Sequence, residues 1–160
     1  MSDKPALPAI DPEHTEWQIG TRYPASLAMP CAERRKKALG DMAGISHFGV
    51  NLVELPPGSQ SSLRHWHSAE DEFVYILEGE ATLVTDEGEQ TLGAGMAAGF
   101  PAGQANGHHL INRSQSLVRY LEVGDRAAGE DRVEYADVDL RIVRHPGSRT
   151  VTRRDGSPVE

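Results

Sequence analysis

The chain has 160 residues, with 16 Lys and Arg against 24 Asp and Glu, a formal net charge of −8. That acidic balance argues against a nucleic-acid backbone as partner, and the length fits one domain. Cys31 is the only cysteine, which leaves no disulfide framework, no cysteine-based zinc knuckle and no CxxC redox pair.

With 38% hydrophobic residues there is material for a core, while 16 Gly and 10 Pro imply many short elements, an all-β profile rather than a helical bundle. No stretch approaches the roughly 18 apolar residues of a membrane helix, and the N-terminus lacks an apolar signal core. The expectation is a cytoplasmic protein with no membrane or nucleic-acid partner.

In chain order, residues 1–44 read as an N-terminal arm, because prolines at 5, 8, 12, 24 and 30 remove backbone donors and fix φ. The run Cys31–Leu39, followed by Gly40 as a C-cap, predicts a short helix. The four consecutive basic residues Arg34 to Lys37 read as a solvated face. Residues 45–125 change character, with short β-branched or aromatic runs between Gly, Pro, Asp and Asn clusters. The spacing predicts strands at His47–Leu55, Ser61–His67, Glu72–Leu77, Ala81–Thr85, Glu89–Leu92, His108–Asn112 and Leu117–Val123. Gly88, with its freedom to take positive φ, marks a hairpin turn after Thr85. Residues 126–160 supply an outer strand at Val138–Val143 and a polar tail from Arg149.

Seven histidines are present, and four of them fall in two short segments, His65/His67 and His108/His109. On a strand, residues i and i+2 share a face, so His65 and His67 point the same way. Glu72 opens the next strand after a short link, and a strand returning antiparallel to the His strand would carry its carboxylate back to them. A further His comes from the segment after Phe100-Pro101-Ala102-Gly103. Imidazoles with one carboxylate suit a divalent transition metal such as Fe, Mn, Zn, Ni or Cu, and leave positions open for water or substrate.

Gly58-x6-His65-x-His67-x4-Glu72-x6-Gly79 resembles the first motif of the cupins, and Gly95-x5-Pro101-x-Gly103 followed by His108-x3-Asn112 resembles the second. The resemblance covers roughly residues 45–125 and is similar to a group of short bacterial single-domain cupins. It implies a jelly-roll barrel, the cupin double-stranded β-helix, with one divalent metal (Fe, Mn, Zn or Ni) held inside by His65, His67, Glu72 and His108. Two extra residues between Gly103 and His108 place Asn106 where the family has its third histidine. His108 keeps the spacing to Asn112; His109 and then Asn106 are the alternatives.

The resemblance also implies a homodimer and a small-molecule substrate. The first functional expectation is a metal-dependent enzyme acting on a small oxygenated molecule by Lewis-acid or dioxygen chemistry, with sugar or sugar-phosphate isomerisation among the choices. The second is a non-catalytic small-ligand-binding or sensing module. Tyr75, Tyr120, Arg64 and Glu122 are candidates to line the pocket, and Arg64, Arg113 or Arg119 could offset the charge of an anionic substrate. No residue is assigned a catalytic role from sequence.

Overall fold

The structure is a computed structural model that describes residues 8–159. Its strands, in chain order, are β1 Gln18–Ile19, β2 Arg35–Ala38, β3 Phe48–Leu55, β4 His65–His67, β5 Glu72–Glu78, β6 Glu80–Thr85, β7 Gly88–Gly93, β8 Ala97–Phe100, β9 His109–Ile111, β10 Val118–Asp125, β11 Asp131–Tyr135, β12 Arg141–His145 and β13 Ser148–Thr152. One helical turn, α1 Leu39–Met42, follows β2.

Strands β1, β2, β3, β10, β5 and β8 hydrogen-bond in that order as one six-stranded sheet. Strands β13, β12, β11 and β4 form a second sheet, and β7, β6 and β9 a third. The second and third are stitched together at the histidines: His65 N donates to His108 O at 3.2 Å, and His108 N donates to His65 O at 2.9 Å. All the pairings are antiparallel.

Strand alternation builds the core. In β5, Val74 and Ile76 turn inward and are buried, while Phe73, Tyr75 and Leu77 face out. Val53, Leu55, Val118 and Tyr120 join them from β3 and β10, and pack against Ala81, Leu83, Leu92 and Leu110 from β6, β7 and β9. A second cluster, Val133, Tyr135, Leu140 and Ile142, packs against Tyr23, Leu27 and Leu63, so the N-terminal arm is held by the C-terminal strands. Between β5 and β6 the chain switches sheets at Gly79, where φ is +81° and a Cβ would stand 2.3 Å from Leu117 O. Only glycine fits that corner.

Three expectations change. The helix predicted over Cys31–Leu39 is instead a strand at Arg35–Ala38, paired with β3 through Lys36↔Val53, and the helical turn comes afterwards. An open sheet edge outweighs local helix propensity here. The basic run is correspondingly not one solvated face: Lys37 is buried, with Nζ 2.5 Å from Pro12 O and 4.4 Å from the centroid of the Trp17 ring. At the other end, the polar tail read from Arg149 contains the last strand, β13, and β11 was not foreseen.

Candidate metal centre

His65 and His67 sit on β4 with Trp66 between them, and both are buried on the same face. Their strand pairs with β11, His67 opposite Val133 and His65 opposite Tyr135. Glu72 does not return beside them as expected. Its strand, β5, pairs with β8 and β10 in the six-stranded sheet, so the carboxylate reaches the histidines from the facing layer.

The four side chains singled out from sequence come together. Glu72 Oε1 lies 3.2 Å from His67 Nε2, and Oε2 lies 3.4 Å from His65 Nε2 and 2.6 Å from His108 Nε2. One ligand-type atom from each of His65, His67 and Glu72 falls within a 4.8 Å group. The opposite ring nitrogens are engaged elsewhere: His67 Nδ1 with Asp131 Oδ2 at 2.7 Å, His65 Nδ1 with Leu63 O at 2.8 Å and, more loosely, His108 Nδ1 with Asn106 O at 3.4 Å. Were a cation to displace the protons shared between the Nε2 atoms and Glu72, such contacts would favour the tautomer that presents each Nε2 lone pair to it. Phe100 stacks on the His108 ring at 3.6 Å and fixes its plane.

The electrostatics match this geometry. Burial pushes the Glu72 carboxyl up, but hydrogen bonds from His108, His65 and His67 outweigh it and hold the group well below the usual carboxylate range. Burial opposes charge on His67, yet Asp131 and Glu72 raise its pKa to about 9. Burial lowers His108 and keeps its imidazole neutral.

The neighbours of His108 turn elsewhere. His109 Nδ1 is 2.9 Å from Ser62 O, and the Asn106 side chain accepts from Asp86 N at 2.9 Å. Asn112 is fully buried and pins its loop, donating to Leu55 O at 2.8 Å and Ser116 O at 2.7 Å.

A cleft of about 1160 Å³ opens onto His65, His67 and Glu72, and Glu122 of β10 faces it. The arginines proposed from sequence to offset substrate charge are not there. Arg64 is tied to Asp137, Asp86 and Gly107 O, Arg113 to Glu89, and Arg119 to Glu54. Tyr120 is buried in the core and Tyr75 faces out. Sequence reasoning missed Asp131, the buried partner of His67, because it lies on a strand with no recognised motif; its one signal is the acid that opens the alternating run Asp131–Tyr135.

Comparison with known proteins places this geometry. A family profile described as Cupin domain matches residues 51–124. None of the curated proteins matches the chain. Among solved structures, a sugar phosphate isomerase from a cupin superfamily of Silicibacter pomeroyi is 42% identical, with 96% of this chain and 97% of that one covered at a TM-score of 0.91. A protein of Acidithiobacillus ferrooxidans, provisionally named a sugar phosphate isomerase, is 31% identical over 81% of each chain at a TM-score of 0.72. The polyketide cyclase RemF of Streptomyces resistomycificus shares the fold at 23% identity, over 82% of this chain and 87% of its own, with a TM-score of 0.65. With both histidine segments inside the matched domain and near-complete coverage by a 42% identical cupin, the chain belongs to the cupin superfamily.

Proposed function

We propose that the protein is a metal-dependent enzyme that isomerises a small polyhydroxylated carbonyl compound, with His65, His67, Glu72 and His108 holding one divalent transition ion. The observation that carries this reading is the convergence of three imidazole Nε2 atoms on one carboxylate at the wall of an open cleft. When bound, the ion supplies Lewis-acid stabilisation of charge developing on a carbonyl oxygen. The names of the two similar structures, both sugar phosphate isomerases in their descriptions, support the same reaction class.

The chain's own groups have separable tasks in this reading. Asp131 and Leu63 O hold the Nδ1 protons of His67 and His65 and so aim the Nε2 atoms inward. Glu122 faces the cleft without joining the histidine cluster. Asn51 Nδ2 donates to it at 3.0 Å and Arg34 Nη2 at 3.4 Å and so orient it, and in this reading it is the base that carries a proton between neighbouring substrate carbons. The same reading takes the protein as a cytoplasmic homodimer that packs through the outer face of the six-stranded sheet, where Phe73, Tyr75 and Leu77 stand exposed in a row.

The test is aldose–ketose interconversion by metal-loaded protein across a panel of small sugars and their phosphates. Turnover is expected to fall by about 10²- to 10⁴-fold in Glu122→Gln with metal content unchanged. Tight ligand binding with no turnover on any member would favour the non-catalytic module instead.

A further inference from the structure

The cleft beside the metal centre carries cationic charge with no partner, although the chain as a whole is acidic. Its carboxylates Glu70, Glu72 and Glu122 are each engaged: Glu70 with Arg144 at 3.6 Å, Glu122 with Arg34 and Asn51, and Glu72 with the histidines. Asp125 stays exposed at the rim. Arg22, Lys36 and Arg149 line the same cleft, and among the described residues none of the three has a carboxylate within ion-pair distance.

Backbone pairing and one hydrogen bond bring together the segments that carry these charges. Lys36 is on the inward face of β2, level with Val53 of the core, and Arg22 follows β1, the strand paired with β2. Arg149 Nη2 donates to the backbone carbonyl of Arg22 at 3.0 Å, which fixes the two residues side by side. Arg149 also lies directly across from Arg144 in the β12–β13 ladder, and Arg144, unlike Arg149, has a carboxylate partner in Glu70 at 3.6 Å. Its Nε is buried with no hydrogen-bond partner in the described structure. Burial, Arg34 and Arg22 lower the Lys36 pKa against the opposing pull of Glu122 and Asp41, and burial, Arg22 and Arg144 lower that of Arg149.

The path from this cluster to the metal centre is short. The His65 ring lies 5.8 Å from the Tyr135 ring, which lies 5.7 Å from that of Tyr23, the residue next to Arg22. All three cationic residues are outside the matched cupin domain, residues 51–124. Two come from the N-terminal arm and one from the C-terminal hairpin.

We infer that Arg22, Lys36 and Arg149 form a dianion subsite that grips the phosphate of a phosphomonoester substrate while its carbonyl end lies at the His65, His67, Glu72 and His108 cluster. The inference rests on the isomerase reading for the carbonyl end, but the subsite itself is a property of the two chain extensions. Phosphate binding also joins the arm to the hairpin across the mouth of the cleft.

The experiment is calorimetric titration of the full chain, stripped of metal with chelator, with inorganic phosphate at constant ionic strength, and with sulfate and acetate as comparison anions. Metal-free protein is used so that phosphate cannot be held by an ion. Wild type is expected to bind phosphate in preference to acetate, and Arg149→Gln and Lys36→Gln each to weaken it about tenfold or more. Arg113→Gln, whose side chain pairs with Glu89 on the surface, should change nothing. Melting temperatures of the variants show that each is folded, and Lys36→Gln stands alone if Arg149→Gln fails to fold. Absence of phosphate binding, or binding indifferent to both substitutions, overturns the subsite.

A second arm compares a sugar phosphate with the unphosphorylated sugar on metal-loaded protein, and the variants should raise KM for the phosphate alone. If phosphate binding is lost in the variants but no sugar is turned over, the subsite stands and the isomerase reading falls. If turnover is seen with no preference for phosphate, the reverse holds.

Discussion

At the scale of single residues, the proposed centre depends on Asp131 through His67. Asp131 is almost wholly buried and meets His67 Nδ1 at 2.7 Å, while its other oxygen accepts from Ala69 N at 3.0 Å. Asp131→Asn is expected to weaken metal binding by about 10- to 100-fold, measured by competition with a chromophoric chelator. The pH dependence follows from His67. Its folded-state pKa is raised to about 9, so a proton occupies the ligand nitrogen at neutral pH in metal-free protein and must leave when metal binds. Apparent metal affinity should therefore climb by about tenfold per pH unit up to about pH 9 and then level. The sign is opposite for the metal-free fold: the His67 contribution to stability is complete below the unfolded value of about 6.5 and is lost as pH rises through about 9. Chemical denaturation of chelated protein at pH 6 and pH 9 checks it.

At the scale of elements, the motif glycines have different reasons. At Gly79 a side chain would collide with Leu117 O and φ is positive, whereas at Gly58 φ is +85° and nothing lies within 4 Å of an added Cβ. Gly79→Ala should cost more than about 2 kcal/mol and Gly58→Ala about 1 kcal/mol, read from urea midpoints. Equal costs would mean that the corner is not as tight as described.

The same contrast shows what the sequence could reveal. The strands of the middle segment were legible because apolar residues alternate there. The convergence of His65, His67 and His108 was legible because i and i+2 share a strand face and the second motif keeps its spacing to Asn112. Strand β8 was not, since Ala-Ala-Gly-Phe has little β signal of its own and exists by pairing with β5. Nor was the route of Glu72, because a short link after a strand can return beside it or cross to the other layer, and only packing decides. Lys36 as a cleft residue was missed for a related reason: parity in Arg34 to Lys37 is set by the register of β2 on β3, which is a long-range fact.

At the scale of the whole molecule, the barrel, the arm and the C-terminal strands form one unit. β11 orients His67 through Asp131 and carries Tyr135, which the arm covers through Tyr23. Outside, the row Phe73, Tyr75 and Leu77 leaves an apolar strip on the six-stranded sheet. Wild type is expected to sediment as the proposed dimer and Leu77→Glu as a monomer, without loss of metal; a monomeric wild type or an unchanged variant dimer would contradict packing through this strip. No helix among the described residues is long and apolar enough to cross a membrane.

The most direct test of the central claim is elemental mass spectrometry of untagged protein purified without added metal, alongside His67→Ala and Glu72→Gln. One divalent transition ion per chain in wild type, and little in either variant, is the predicted result. Wild type that neither carries nor takes up such an ion, or variants that retain it fully, would contradict the assignment of His65, His67, Glu72 and His108 as a metal centre.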